Sequence, residues 1–267
     1  MASIREQMDL RGRTAIITGG AGYLGRTMAH TLAEAGADIA IVDINAEKIS
    51  EFCQELEAKW AVRTLGLAVD LENKDERLQV APKTVAALGR LDILINNAAF
   101  VGTSNLTGWG VPFEQQETET WRRALEMNLT AVFDLTQTAV PYLKESGHGN
   151  IINVASIYGI VGPDPRLYSD LPMFNPAAYA ASKGGVVQFT KWCSTVLAPE
   201  IRVNAITPGG IFRNQDPAFL ERYESRTPLK RMAHEDDFIG ATVFLASDLS
   251  KYITGQNIVV DGGFSVW

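Results

Sequence analysis

The chain predicts an α/β fold: a doubly wound parallel sheet of seven strands with helices on both faces. Three observations carry that expectation. Short runs rich in Ile, Val and Leu alternate with longer amphipathic stretches along the chain. Most of these runs lack strict apolar/polar alternation, as strands covered on both faces do. A glycine-rich turn follows the first run and opens the first helical stretch.

The seven runs are residues 14–18, 38–42, 64–69, 91–95, 150–155, 202–206 and 257–260. Between the first two, Leu24, Met28 and Leu32 recur every fourth residue and share one helix face, and Gly36 suits the stop. Further on, Asn175-Pro176 reads as a helix start, with Asn as N-cap and Pro at the first helical position. Two stretches break the rhythm. Residues 100–116 contain Gly102, Gly108, Gly110 and Pro112, and residues 159–175 contain Pro163, Pro165 and Pro172. Both follow strands, and ligands in open α/β sheets bind beyond the carboxyl ends of strands, so both are expected to be substrate loops. No repeat or linker divides the chain, and residues 1–267 read as one domain.

Composition bounds the answer. At 267 residues, 46% hydrophobic and 21% charged, with a mean hydropathy of −0.01, this is an ordinary globular protein able to bury a large core without disulfides. Lys and Arg number 24 against 31 Asp and Glu, and the net charge of −7 argues against nucleic acid or an anionic membrane as partner. Cys53 and Cys193 lie far apart, and His30, His148 and His234 are scattered, so no metal is expected. No apolar run of about eighteen residues could span a membrane. The N-terminal Arg5, Glu6 and Asp9 precede no apolar leader segment, which points to the cytoplasm.

Thr18-Gly19-Gly20-Ala21-Gly22-Tyr23-Leu24-Gly25 sits between the first strand and the first helix. Glycines let the backbone turn sharply and approach a ligand, and the helix N-terminus offers free N–H groups to a pyrophosphate. Asp43 ends the second strand about twenty positions on. Its carboxylate can accept hydrogen bonds from the adenosine ribose and would repel a 2′-phosphate, which favours NAD over NADP; the alternative is a cap for the next helix. Asp70, ending the third strand, is a candidate for the adenine edge or another cap.

Tyr179 and Lys183 stand four apart on the helix that Asn175-Pro176 opens, and so share a face. A fixed ammonium favours phenolate and draws the Tyr pKa down from about 10, which suits a phenol that exchanges a proton with an alcohol. Ser156 ends the fifth strand, where its hydroxyl can hold a substrate oxygen. Asn128, on a mostly apolar helix face, is costly to bury unless used, either functionally or as a satisfied structural amide.

With Asn96-Asn97-Ala98-Ala99 after the fourth strand, Arg202-Val203-Asn204-Ala205-Ile206-Thr207-Pro208-Gly209 and the ending Val260-Asp261-Gly262-Gly263, these motifs run in the order of a known family. The chain resembles the compact single-domain branch of the short-chain dehydrogenase/reductase family over nearly its whole length. The resemblance implies a Rossmann sheet and a hydride transfer between a secondary alcohol or ketone and NAD. It implies Tyr179 as general acid/base, Lys183 on the nicotinamide ribose, Ser156 orienting the substrate and Asn128 holding a water in a proton relay. It implies that Gly19, Gly22, Tyr23, Leu24, Asp43, Ile44, Asp70, Leu71, Asn97, Ala98, Ala99, Tyr179, Lys183, Pro208, Gly209 and Ile211 line the cofactor. It also implies a homo-oligomer, tetramer or dimer.

Three features depart from the family's pattern. Tyr23 stands where a glycine is usual, and Gly19-x-x-Gly22-x-x-Gly25 is closer to the spacing of the family's sugar-nucleotide branch. Arg213 stands where a Thr is frequent. Ser156 and Tyr179 are 179 − 156 = 23 positions apart, an unusually long interval. The inserted residues offer Asp164, Arg166, Tyr168, Ser169 and Asp170, and the earlier loop offers Thr103, Ser104, Asn105 and Trp109. Together with a resemblance of the Ser156-Ile157-Tyr158-Gly159 run to bacterial carbohydrate oxidoreductases, these groups suggest a small-molecule substrate of the sugar, sugar-acid or polyol kind. The alternative is that the insertion only covers the site or supports a subunit contact. Rival functions are an NADP-dependent ketone reductase of acyl-carrier type, a nucleotide-sugar epimerase or dehydratase, and a non-catalytic dinucleotide-binding protein.

Overall fold

The computed structural model describes residues 2–101 and 104–267, so Gly102 and Thr103 of the first loop lie outside it. The seven expected strands form one parallel sheet. They are β1 (Thr14–Thr18), β2 (Asp38–Asp43), β3 (Thr64–Ala68), β4 (Ile93–Asn96), β5 (Gly149–Val154), β6 (Ile201–Pro208) and β7 (Asn257–Val260), in the spatial order β3-β2-β1-β4-β5-β6-β7. The helices are α1 (Ile4–Met8), α2 (Tyr23–Glu34), α3 (Ala46–Trp60), α4 (Lys74–Arg77), α5 (Val80–Leu88), α6 (Thr118–Leu125), α7 (Ala131–Ser146), α8 (Ala177–Val196), α9 (Pro217–Arg226) and α10 (Ile239–Ala246). No helix among the described residues is long and apolar enough to cross a membrane.

The apolar runs become strands because both their faces are covered. One face of the sheet packs Ile17, Ile39, Ile41 and Ile152 against Met28 and Leu32 of α2 and Phe52 of α3. The other packs Ile16, Val42, Leu94 and Ile151 against Val80 of α5, Leu135 of α7 and Cys193 of α8. β1, β4 and β5 are buried along their length, while the edges β3 and β7 are only partly covered.

Strand order reverses between β1 and β4, which part company beyond their carboxyl ends. That switch point opens the crevice where doubly wound sheets hold ligands. Two buried polar features fix its walls. Asn96 on β4 donates to Asn153 on β5 at 2.8 Å, and Asn153 donates to Thr190 on α8 at 2.9 Å. These bonds lock the two strands and the helix into one register. Arg77, 1% exposed, pairs with Asp134 of α7 at 2.7 Å and with Glu126 at 2.5 Å. Its Nη1 also donates to the Leu71 carbonyl at 2.9 Å, which pins the loop after β3 to the helix beneath it.

The start of α8 differs from expectation. Pro176 is the N-cap rather than the first helical residue, and Asn175 does not cap. The Ala177 N–H instead donates to the side-chain oxygen of Gln116, 61 positions away, at 2.9 Å. Proline at the cap cannot offer a side-chain acceptor, so a distant amide supplies it. Neither Asp43 nor Asp70 caps a helix: Asn45 caps α3 and Asn73 caps α4.

Removing the carboxylate of Asp134 strips the buried Arg77 of its main partner. We expect Asp134→Ala to lose about 3–5 kcal/mol of stability, the scale of a broken buried ion pair. Urea denaturation checks this, and a loss under about 1 kcal/mol would mean that Glu126 alone compensates the guanidinium.

Candidate active site

The crevice is a cleft of about 1000 Å³ that runs from the glycine turn to the insertion after Ser156. At one end, Gly19 has a φ of +61°, and a Cβ there would stand 3.0 Å from Asn97 and Ala98. A Cβ on Gly25 would lie 2.1 Å from the Gly19 carbonyl oxygen, so only glycine lets α2 start this close to the turn. Gly22 precedes α2 with no side-chain cap, leaving the first N–H groups of the helix to a ligand. Asn97 braces the turn from β4, its side chain donating to the Thr18 carbonyl at 2.9 Å. This tight, uncapped cradle fits a dinucleotide's phosphates.

Asp43 stays at the mouth of β2. Its carboxylate accepts from the Ala21 N–H at 3.1 Å and from the Ile44 N–H at 2.8 Å, so it is anchored to the glycine turn itself. Asp70 accepts from the Glu72 N–H at 2.9 Å. The structure places Gly19, Gly22, Tyr23, Leu24, Asp43, Ile44, Asp70, Leu71, Asn97, Ala98, Ala99, Pro208, Gly209 and Ile211 on the walls of this one cleft.

At the other end, α8 lays Tyr179 and Lys183 across the end of β5. Lys183 is 3% exposed, and its Nζ donates to the Val154 carbonyl at 2.7 Å. It stands 6.0 Å from the centre of the Tyr179 ring. Ser156 leaves β5 beside them. Its hydroxyl accepts from the Tyr158 N–H at 3.2 Å, and Ser156 and Tyr179 both line the cleft. Ser156, Tyr179 and Lys183 therefore converge on one point of the cleft.

The electrostatics of that point differ from the sequence reading. Burial pushes the Tyr179 phenol above its usual range, opposed by the Ser156 hydroxyl. Burial also pushes the Lys183 ammonium down to about 8. Loss of water is the main cause at both groups, and the ammonium is turned onto the Val154 carbonyl.

Asn128 is a second correction. It lies fully buried in a π-helical segment, Glu126–Thr130, and is absent from the cleft wall. Its Oδ1 accepts from the Phe100 N–H at 2.7 Å, and its Nδ2 donates to the Phe100 carbonyl at 3.1 Å and to Ser182 at 3.2 Å. Both amide hydrogens are engaged within the protein. The side chain holds the chain leaving β4 against α8.

The loops also depart from expectation. Of the groups offered for a sugar, only Tyr168 among the described residues reaches the cleft. Asp164 turns outward to Arg166 and Arg226, while Arg166, Ser169 and Asp170 are exposed. Trp109 is 2% exposed, its indole N–H donating to the Val101 carbonyl at 2.8 Å, and neither it nor Ser104 or Asn105 lines the cleft. Thr103 lies outside the described residues. The insertion instead folds inward on Leu167 and Tyr168, which pack with Phe174, Phe219 and Tyr223.

Two cleft residues, Tyr158 and Asn175, were missed as such by the sequence reading. The Tyr158 and Tyr168 hydroxyls bond each other at 2.8 Å, and burial raises the pKa of both. Asn175, expected only as a cap, is 8% exposed, and its Oδ1 has no hydrogen-bond partner among the described residues. Its position four residues before Tyr179, just ahead of the helix, was the available signal.

A family model described as Enoyl-(Acyl carrier protein) reductase matches residues 20–265. The 3-oxoacyl-[acyl-carrier-protein] reductase of Thermotoga maritima is 33% identical over 97% of this chain and all of its own. A probable galactose dehydrogenase of Rhizobium meliloti is 33% identical over 96% of each chain. Among solved structures, a gluconate 5-dehydrogenase from Burkholderia cenocepacia in complex with NADP and tartrate superposes with a TM-score of 0.87 at 30% identity, over 99% of this chain and all of the other.

The fall of Lys183 from 10.5 to about 8 costs the folded state on the order of 3 kcal/mol at neutral pH. Both folded and unfolded Lys183 are protonated below about pH 8, so the cost is carried in full there. It fades as pH rises from 8 to 10.5, where only the unfolded chain still holds the proton. We expect Lys183→Met to unfold at higher urea than wild type at pH 7, by about 1–3 kcal/mol, with the gap narrowing by pH 9.5. A gap that is absent, or independent of pH, contradicts this account.

Proposed function

Since the chain belongs to the short-chain dehydrogenase/reductase family and is an oxidoreductase acting on CH–OH groups, we propose that it uses NAD to interconvert a ring-shaped or polyhydroxylated secondary alcohol, of the sugar, sugar-acid or polyol class, with its ketone. The observation that carries the reading is the convergence of Ser156, Tyr179 and Lys183 at the end of a cleft whose other end is an uncapped glycine cradle. The bound nicotinamide supplies the hydride acceptor or donor.

The chain's own groups do the rest. Ser156 holds the substrate oxygen against the phenol of Tyr179, and Tyr179 takes the proton from that oxygen during oxidation and returns it during reduction. Lys183 stands behind the phenol, where its charge stabilises a developing phenolate most strongly once substrate and cofactor have excluded water. Asn128 positions Phe100 on the wall opposite.

The cofactor preference rests on Asp43. Its carboxylate accepts ribose hydroxyls and opposes a further phosphate; at about 4 Å two like charges repel by about 4 kcal/mol at an effective dielectric near 20, less with salt. Lys183 and Arg213 are the basic residues of the cleft wall, and neither lies beside Asp43: one is on the floor under Tyr179, the other over Tyr23.

The substrate class rests on the wall chemistry. Phe174 and Phe219 offer apolar faces to a ring, while Tyr158, Tyr168 and the unpartnered Asn175 can bond hydroxyls on its rim. The apolar share of that wall, with Met173 and Met232, favours one second reading, an alicyclic alcohol bearing few other hydroxyls. Free thiols at Cys53 and Cys193 suit the cytoplasm. Exposed Phe133, Trp192 and Val196 on α7 and α8 support a homo-oligomer, dimer or tetramer.

Tyr179→Phe is expected to bind NADH as wild type does and to lose about 10²–10⁴-fold in turnover; full activity in that variant ends the assignment. Asp43→Ala is expected to shrink the ratio of kcat/KM for NAD over NADP by about tenfold or more, a free-energy change of about 1.4 kcal/mol. An unchanged ratio removes the ribose role. Reduction of NAD across a panel of sugars, aldonates, polyols and cycloalkanols decides the substrate class, and turnover confined to the cycloalkanols selects the second reading.

A further inference from the structure

Two of the positions where this chain departs from its family's pattern touch each other. The guanidinium of Arg213 lies over the ring of Tyr23, 4.4 Å from its centre. Tyr23 is the first residue of α2, directly after the uncapped Gly22, and is 72% exposed. Arg213 belongs to the loop after β6, on the opposite bank, and both residues line the cleft. The pair therefore spans the mouth of the crevice.

The loop is built to hold the arginine there. Its N–H donates to the Gln215 side chain at 2.7 Å, and Gln215 in turn donates to the Ile211 carbonyl at 2.8 Å. Nη1 donates to the Phe212 carbonyl at 2.7 Å, and Nη2 pairs with Glu235. Those contacts leave other guanidinium N–H groups free. A cation stacked on a ring keeps its in-plane donors available while the ring face restrains it. Here the guanidinium, paired with Glu235 on its other side, sits beside the helix N-terminus of the glycine cradle, so its remaining N–H groups and the helix N–H groups face the same part of the cleft.

We propose that Tyr23 and Arg213 form a clasp across the dinucleotide cleft, in which the tyrosine ring holds the guanidinium for the cofactor's diphosphate. The inference rests on the dehydrogenase reading and deepens it. A glycine at position 23 would give the guanidinium no ring to rest on, and a threonine at position 213 would bring no charge, so each departure is useful only with the other. The clasp also ties the loop after β6 to α2.

The test uses the full-length protein, with NADH fluorescence titration and competition by ADP-ribose and by adenosine. Arg213→Ala is expected to weaken NADH and ADP-ribose by about tenfold, the scale of one charge-assisted hydrogen bond, and to leave adenosine unchanged. Tyr23→Ala should weaken both diphosphates by a smaller factor, about threefold. The double variant should bind no more weakly than Arg213→Ala alone, because the ring acts only through the guanidinium. NADH affinity within twofold of wild type in Arg213→Ala, an equal loss for adenosine, or losses that multiply in the double variant overturns the clasp alone. Wild-type protein that binds neither NADH nor ADP-ribose overturns the clasp and the dehydrogenase reading together.

Discussion

The short bond from the Lys183 ammonium to the Val154 carbonyl ties the chemistry of this protein to its fold. It runs from the helix that carries Tyr179 to the strand that delivers Ser156. An ammonium buried to 3% exposure survives only with a partner that is itself fixed, and a carbonyl at the carboxyl end of a central parallel strand is such a partner. The same burial that lowers the lysine's proton affinity raises that of the phenol. The site is thus strained electrostatically and held by packing around it, a common cost of function.

The packing that holds it is partly polar. Asn96, Asn153 and Thr190 form a line across β4, β5 and α8 directly beneath the cleft floor. Asn128 performs the same service one layer over, clamping the backbone of Phe100 from inside a π-helical turn. Buried amides of this kind fix register more strictly than apolar contacts, because a slip of one residue leaves hydrogen-bonding groups unpaired. Asn128 thus reads as a positioning residue, its demands met by protein.

The substrate end shows how composition can mislead. The insertion after Ser156 is rich in polar residues, yet it turns those outward and packs its few apolar ones inward on Phe219 and Tyr223. Asp164 goes to Arg226 on α9, a half-buried ion pair, whereas leaving Leu167 and Tyr168 in water would forgo their burial. The polar groups that do face the cleft, Tyr158, Tyr168 and Asn175, come from positions flanking apolar neighbours.

Sequence alone determined the seven strands to within about two residues and the glycine turn, and it picked out Asp43, Ser156, Tyr179 and Lys183, which the fold gathers on one cleft. Each of these is a local matter: an apolar run, a turn only glycine can make, a helical spacing of four, a strand end. Tertiary structure alone decided the rest. It showed that Gln116 caps α8 across 61 positions, that Arg213 finds Tyr23 from the far side of the cleft, that Asn128 holds Phe100 and that burial raises the Tyr179 phenol. In each of these the energy belongs to a pair or a cavity whose members are distant in the chain, and no periodicity or propensity records which distant group will arrive.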